Sequence, residues 1–127
     1  MKYAHLGLLK NFVERGENPP EFQLWLCRAL QECWQKGRSL DECLGIPKAK
    51  DLCLTRAIFI CGEGRDLDFK SSEIAQDIVD AIKIFESHYW HIDRDNLTPL
   101  FRAIYDAEKS PGVTPKNWRR LHEKFFD

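Results

Sequence analysis

Apolar residues recur at spacings of three and four along most of this chain, which is the pattern that amphipathic helices produce. The most regular stretch runs through Ile74, Ile78, Ile82, Phe85 and Tyr89. We expect Ser71 or Ser72 to cap this helix, and the helix to lie at the centre of the fold. The β-branched residues follow helical spacing and do not alternate with a period of two, so the pattern predicts no strand.

Glycine and proline divide the N-terminal half into predicted helices. The first covers about residues 2–14 and ends near Gly16, a residue suited to a helix C-terminus. Its apolar stripe is Tyr3, Leu6, Leu9 and Val13. The second opens at Pro19-Pro20, because proline suits a first helical turn, and ends at Gly37. Its apolar face is predicted to comprise Phe22, Leu26, Ala29, Leu30, Cys33 and Trp34.

Two further patterns follow in the middle of the chain. Ser39 and Glu42 form a capping box, in which the Ser39 hydroxyl accepts from the Glu42 amide and the Glu42 carboxylate reaches back. The helix that it opens must be short, since Gly-Ile-Pro follows at residues 45–47. A fourth helix is predicted over about residues 48–61. Its inward residues are expected to be Leu52, Ile58 and Phe59.

The C-terminal third predicts two helices joined by a turn. The first has Pro99 in its opening turn. Its apolar residues are Leu97, Leu100, Phe101, Ile104 and Tyr105. After a turn at residues 110–112, Thr114 and Pro115 are expected to cap the last helix, whose apolar face is Trp118, Leu121 and Phe125. The prediction is one all-α domain over residues 1–127, a compact bundle of about six to seven short helices that ends in a helix-turn-helix-like hairpin.

The charge balance argues against a dedicated nucleic-acid binder. The net charge is −1 and the pI is about 6.4, whereas such proteins carry a basic excess because phosphate neutralisation dominates their affinity. The longest apolar stretch, at residues 57–61, is too short to span a bilayer, and no signal-peptide pattern opens the chain. We therefore expect a cytoplasmic protein with no membrane partner.

The five cysteines are an odd number with no spacing typical of a metal or redox motif. They are Cys27, Cys33, Cys43, Cys53 and Cys61. Cytosolic thiols normally stay reduced, and several of these lie among apolar residues, where a thiol acts as a small core side chain. We predict free, buried, structural thiols with no disulfide and no bound metal.

The most metal-like segment is His-Tyr-Trp-His at residues 88–91, followed by Asp93 and Asp95. Residues three apart lie close on a helix, so His88 and His91 with one carboxylate would make a three-ligand zinc site. The alternative, which we favour, is a helix C-terminus whose histidines complement the helix dipole. We therefore predict no metal-ligating residue and no cofactor.

Catalytic patterns are missing elsewhere in the chain. No nucleophile elbow or catalytic cysteine signature occurs. Glu73, Asp77 and Asp80 share one side of a predicted helix, which indicates a solvated face more than an acid–base pair in a cleft. We predict that the protein is not an enzyme and has no catalytic residue.

The last helix carries the most suggestive surface. Residues 111–127 hold four basic and two acidic side chains. The basic ones, Lys116, Arg119, Arg120 and Lys124, are predicted to lie on the outer side. A recognition helix needs exposed donors of this kind, whereas an ordinary αα-hairpin also has a charged outer face. We favour a protein contact for these residues, with nucleic acid as the alternative.

Two short strings resemble small proteins of unassigned function encoded in prophages and other mobile elements of Gram-negative bacteria. They are Ser39 to Ile46 (SLDECLGI) and Trp118 to His122 (WRRLH). The resemblance implies a mobile-element setting and no catalytic residue. The sequence therefore predicts a non-enzymatic interaction protein of a phage or mobile element, a regulator or inhibitor acting on a host protein complex. The alternative is a nucleic-acid-binding protein that uses the C-terminal hairpin.

Overall fold

The computed structural model describes every residue from Met1 to Asp127 and contains helices but no strand. Seven α-helices follow one another: α1 (Leu6–Arg15), α2 (Pro20–Lys36), α3 (Leu40–Leu44), α4 (Ala49–Cys61), α5 (Ser71–Ile84), α6 (Pro99–Lys109) and α7 (Trp118–Phe126). A π-helical turn (Phe85–Tyr89) continues α5, and a 3₁₀ turn (Arg94–Asn96) precedes α6. The all-α class predicted from hydrophobic periodicity is confirmed.

The helices fall into two packing units. The smaller unit, Tyr3–Pro47, contains α1, α2 and α3. The larger unit contains α4 to α7 and comprises Met1–Lys2 with Lys48–Asp127. Each unit has buried side chains of its own. The expectation of a single domain over the whole chain stays a prediction.

In the larger unit, α4 packs chiefly against α6, and α7 packs against α5. Helix α5 also contacts α4 and α6, so it is central to this unit, as its regular apolar stripe predicted. Ile74, Ile78 and Ile82 are fully buried. Helices α6 and α7 follow each other along the chain, as predicted for the C-terminal hairpin. They pack mainly against different helices, α6 against α4 and α7 against α5, and not against each other.

The smaller unit is held by a few aromatic and aliphatic contacts. Phe22 is buried, stacks on Phe12 with ring centroids 4.8 Å apart, and meets the edge of Trp25 at 5.9 Å. Helix α3 packs on α2. Of the two hydrogen bonds predicted for its capping box, the structure contains the first, in which the Ser39 hydroxyl accepts from the Glu42 amide at 3.3 Å. Only four apolar side chains of this unit are buried, whereas five large ones are exposed.

The expected serine cap of α5 is wrong. Ser71 is the first residue of the helix, Lys70 occupies the cap position, and neither side chain caps it. The Ser71 hydroxyl hydrogen-bonds instead with His122 Nε2 at 2.9 Å. The preceding turn is held by Asp66, whose carboxylate accepts from the Phe69 amide at 2.9 Å. The Ser71 hydroxyl, which the sequence predicted as a helix cap, therefore forms a tertiary hydrogen bond to α7.

The expected cap of α7 is also wrong. Asn117 is the cap residue, and its side chain accepts from the Arg119 amide at 2.8 Å. Thr114 lies further upstream and is buried, with its hydroxyl accepting from the Lys50 ammonium at 2.8 Å. Lys116, predicted on the helix, therefore lies in the segment before it.

Several residues predicted to face inward are exposed. Val13 on α1 is 72% exposed, and Leu30 and Trp34 on α2 are 47% and 90% exposed. The buried side of α2 is set by Phe22 and Ala29. Because each residue turns an α-helix by about 100°, Leu30 and Trp34 point well away from their neighbours at 29 and 33. In the larger unit, seven of the residues predicted to face inward are only half-buried. They are Leu52, Phe59, Tyr89, Leu100, Phe101, Tyr105 and Trp118.

The prediction of buried cysteines is wrong. Cys27 is exposed, and the other four thiols are half-buried; all five are free. Burial raises the pKa of Cys61 to about 11, so this thiol stays protonated near neutral pH and is a poor nucleophile.

No helix combines the length and the apolar character needed to cross a membrane.

Candidate functional site

The four basic residues singled out in the sequence are not a uniform free surface. Lys116 Nζ lies 3.4 Å from Glu86 Oε2, and Lys124 Nζ lies 2.9 Å from Asp51 Oδ1. Two of the four cations are therefore already paired with carboxylates of the same packing unit. Each ion pair reduces the local positive potential that would attract a phosphate backbone.

Arg119 and Arg120 are the unpaired members of this group. Both are exposed on α7, and neither forms an ion pair. The Arg119 guanidinium lies over the Trp118 ring, 5.4 Å from its centroid. Such stacking holds a guanidinium on an aromatic face without using its hydrogen-bond donors. These two arginines are the part of the predicted surface that remains free to contact a partner.

The two histidines do not assemble a metal centre. His88 lies within the π-helical turn, His91 lies beyond it, and both are exposed. Asp93 precedes the 3₁₀ turn as its cap residue, and the Asp95 side chain is 96% exposed. No group of three or more His, Cys, Asp or Glu side chains is placed to hold a metal ion.

The carboxylates on α5 lie on an exposed face, as the sequence predicted. Asp77 pairs with Arg65 at 2.8 Å, and Glu73 lies 3.5 Å from the Lys70 ammonium. Asp80 is also exposed. Two of the three carboxylates are therefore held in exposed ion pairs, and Asp80 lines a cavity of about 270 Å³ beside Lys83 and Lys116.

A carboxyl pair that sequence reasoning missed lines a cavity of about 290 Å³. Glu86 and Glu108 face this cavity together with Phe85, Trp90 and Lys109. Glu108 Oε1 is buried without a hydrogen-bond partner. Burial raises the pKa of the Glu108 carboxyl, and the nearby Glu86 carboxyl raises it further. Because 22 residues separate the two glutamates, no local sequence pattern could have paired them.

This carboxyl pair resembles an acid–base site only in part. Two neighbouring carboxyls with different environments are a common catalytic arrangement. The rest of the lining is an apolar ring, an indole and an ammonium, which include no nucleophile. Glu86 is moreover held in an ion pair by Lys116.

Replacing Glu108 with Gln should stabilise the protein at neutral pH. A folded-state pKa above the unfolded value means that the native state holds the proton more tightly, so ionisation of Glu108 lowers stability as pH rises. The stabilisation by Glu108→Gln should be full above the folded pKa and vanish below about pH 4, where both states are protonated. Chemical denaturation at pH 7 and pH 3.5 measures this, with the exposed Glu63→Gln as the matched control. A gain that is equal at both pH values would contradict the expected ionisation effect.

Two further polar clusters are structural. The buried Lys50 ammonium donates to the Ala107 carbonyl and to the Thr114 hydroxyl, which ties α4 to the C-terminal turn of α6. That turn carries the negative end of the helix dipole and suits a cation.

Asp106 holds a second such cluster. It accepts from Arg94 Nε at 2.7 Å and Nη2 at 2.8 Å, and from Arg56 Nη1 at 3.0 Å. The hydrogen bonds from Arg94, followed by those from Arg56, hold the pKa of Asp106 below its usual value. In both clusters the charged group is hydrogen-bonded to partners on another element of the same unit, so these are satisfied polar contacts that join helices.

Helix α2 presents a second, exposed side that carries no charged residue. We call it the α2 outer face. It consists of Pro20, Gln23, Leu24, Cys27, Leu30, Gln31 and Trp34, all of them exposed. Leu24 is 52% exposed and Trp34 is 90% exposed. The sequence does contain a signal for this face: its seven positions, spread over 15 residues, carry no charged residue, whereas the solvated face of an amphipathic helix normally does.

The structure thus leaves the α2 outer face and the Arg119–Arg120 pair as free surfaces. Comparisons with protein-family models, with curated proteins and with solved structures each found no match for this chain. The functional proposal therefore rests on these surfaces.

Proposed function

We propose that this chain is a non-enzymatic interaction protein that binds another protein through the α2 outer face. The observation that carries the proposal is the exposure of Leu24, Leu30 and Trp34 on one uncharged side of a 17-residue helix. Exposed apolar side chains that form a continuous row mark interaction sites, whereas singly scattered ones do not.

The composition of this face suits a protein partner better than a nucleic acid. The centres of protein interfaces are depleted in charge and enriched in aromatic residues, and tryptophan is among the commonest energetic anchors. Two glutamines within the face, Gln23 and Gln31, supply neutral donors and acceptors whose desolvation costs less than that of charged groups. A phosphate backbone would find no cation here.

For the biological setting, we propose a cytoplasmic phage or mobile-element protein that regulates or inhibits a host protein complex. The support is the resemblance of the SLDECLGI and WRRLH strings to prophage-encoded proteins, together with a binding face that has no catalytic group beside it. Affinity capture from a Gram-negative host lysate tests this setting through the identity of the captured proteins.

Trp34→Ala should weaken binding to a protein partner by at least about tenfold, since a buried interfacial tryptophan commonly contributes 2 kcal/mol or more. The free energy of unfolding should change by no more than about 0.5 kcal/mol, because the side chain is exposed. The matched control is Trp90→Ala, which removes another exposed tryptophan outside α2. Titration calorimetry with the captured partner gives both affinities. Undiminished binding by Trp34→Ala, or equal losses in the two variants, would count against the α2 outer face.

The second candidate function is nucleic-acid binding, favoured by the two unpaired arginines on α7. The double variant Arg119→Glu with Arg120→Glu distinguishes it. If these residues contact phosphates, affinity for duplex DNA should fall and the salt dependence should flatten by about two units, one per lost contact. Under our proposal, the double variant captures the protein partner as well as the unchanged protein does, and neither protein shows salt-dependent binding to DNA.

The control for this experiment is Arg15→Glu with Lys48→Glu, which reverses two exposed charges outside α7. DNA binding that disappears in the Arg119–Arg120 variant and persists in the control variant, with the partner complex intact, would replace the protein-binding proposal with the nucleic-acid one.

A further inference from the structure

We propose that the α2 outer face binds a second copy of this chain, with the two α2 helices antiparallel about a two-fold axis beside Cys27. This inference rests on the proposed function, because it names the partner of the same face. It comes from the order of residues within the face, which is nearly the same in both directions.

Counted outward from Cys27, the face is symmetric. Leucine lies three residues away on each side, at Leu24 and Leu30, and glutamine lies four residues away, at Gln23 and Gln31. The ends, seven residues away, are Pro20 and Trp34. A two-fold axis at Cys27 places leucine at the level of leucine and glutamine at the level of glutamine, so the face is self-complementary, as an isologous interface must be.

The antiparallel arrangement also solves the packing at the ends of the face. It brings the ring of Pro20 to the level of the partner's Trp34, so that the largest side chain lies opposite a small one. A parallel pair would place the two Trp34 indoles side by side and leave the two Pro20 rings opposite each other. It would also align the helix dipoles, whereas antiparallel helices place opposite ends together.

The central residues can approach closely in this geometry. Pro20, Cys27 and Trp34 follow a seven-residue spacing, with Gln23 and Leu30 on one side of that row; this is the spacing of a helix-pairing interface. Helix axes about 10 Å apart, with Cα atoms about 2.3 Å from each axis, bring facing Cα atoms to roughly 5.4 Å. That separation lies within the range that a disulfide can bridge. No like charges meet within the face itself, and the exposed Arg28, next to the axis, lies at the edge of the face, where its guanidinium is in contact with water.

The first experiment measures the mass of the full chain under reducing conditions by sedimentation equilibrium. We expect a monomer–dimer equilibrium, and Trp34→Ala should raise its dissociation constant at least tenfold. Trp90→Ala should leave the dissociation constant unchanged. A chain that stays monomeric up to millimolar concentration, or a dimer that Trp34→Ala leaves intact, would overturn the inference.

The second experiment tests the direction of the helices by cysteine crosslinking. In a Cys27→Ser background, Gln23→Cys and Gln31→Cys are made separately, with tags of different mass. Each variant is oxidised alone, and then the mixture of the two is oxidised. Antiparallel pairing predicts a disulfide between the two variants in the mixture only. Position 23 lies level with the partner's position 31, with Cα atoms about 6–7 Å apart for helix axes about 9–10 Å apart, whereas two copies of position 23 lie eight residues, or about 12 Å, apart along the axis. The background without either substitution controls for the four half-buried thiols.

The outcomes separate this inference from the proposed function. Disulfides within each single variant would indicate parallel pairing and overturn the antiparallel arrangement. A monomer whose capture of a different protein is lost with Trp34→Ala would overturn the second copy as partner while leaving the proposed function standing. A monomer in which Trp34→Ala changes no interaction would overturn both.

Discussion

Replacing Phe125 with Ala is expected to lower the free energy of unfolding of the larger unit by about 3–5 kcal/mol. The Phe125 side chain is fully buried on α7, the helix that packs against α5. Its removal loses the transfer free energy of an aromatic ring and leaves a cavity that the surrounding side chains can fill only in part. The Phe125 carbonyl also accepts from the Lys2 amide at 2.6 Å, so loosening α7 would release the N-terminal residues too.

The matched control for this variant is Phe126→Ala, which removes the same ring from the next position. Phe126 is half-exposed and stacks on His122 with centroids 5.3 Å apart. We expect a loss well below that of Phe125→Ala, because less apolar area leaves water. Urea denaturation followed by tryptophan fluorescence gives both values. Similar losses at the two positions would mean that α7 does not dock by the face seen here.

Ile82→Ala is expected to destabilise by about 2–5 kcal/mol, and Ile78→Ala by a similar amount. Both side chains are fully buried on α5, the helix that contacts α4, α6 and α7. A cavity at this position therefore removes contacts to several helices at once. The size of the loss depends on how far these neighbours can close around it.

Ile84→Ala removes the same side chain from the end of the same helix, where it is 44% exposed. It should cost clearly less than Ile82→Ala, and the difference measures burial with helix propensity held constant. Thermal and urea unfolding of the three variants check this. A change near zero at Ile82 would refute the central position of α5.

Local chemistry in the sequence accounts for the helices themselves. Pro20 and Gly37 bound α2 because proline suits a first turn and Gly37 adopts the left-handed conformation (φ 68°) that ends a helix. The spacing of three isoleucines and Phe85 identified a buried face correctly, since such a stripe leaves water only when that side of the helix is covered. Both inferences depend on residues within a few positions of one another.

The polar contacts between helices show the opposite dependence. The pKa of the Glu108 carboxyl is raised by its burial and by Glu86, which lies on another element. The buried Lys50 ammonium donates to the carbonyl of Ala107, which is 57 residues away in the chain. Of the four predicted contact residues, Lys124 is neutralised by Asp51, a residue on another helix. No local pattern contains these distances, because they arise only when distant helices pack.

The sequence alone therefore determined that the chain is helical, where most helices begin and end, and which helix would be central. Tertiary packing decided which of the apolar sides of α2 is covered: Phe22 is buried, whereas Leu30 and Trp34 are exposed. It also placed the hydroxyls of Ser71 and Thr114, which were expected to cap helices, in hydrogen bonds with His122 and Lys50. The physical reason is that helix formation uses hydrogen bonds between near neighbours in the chain, whereas burial depends on which surfaces are close enough in space to exclude water.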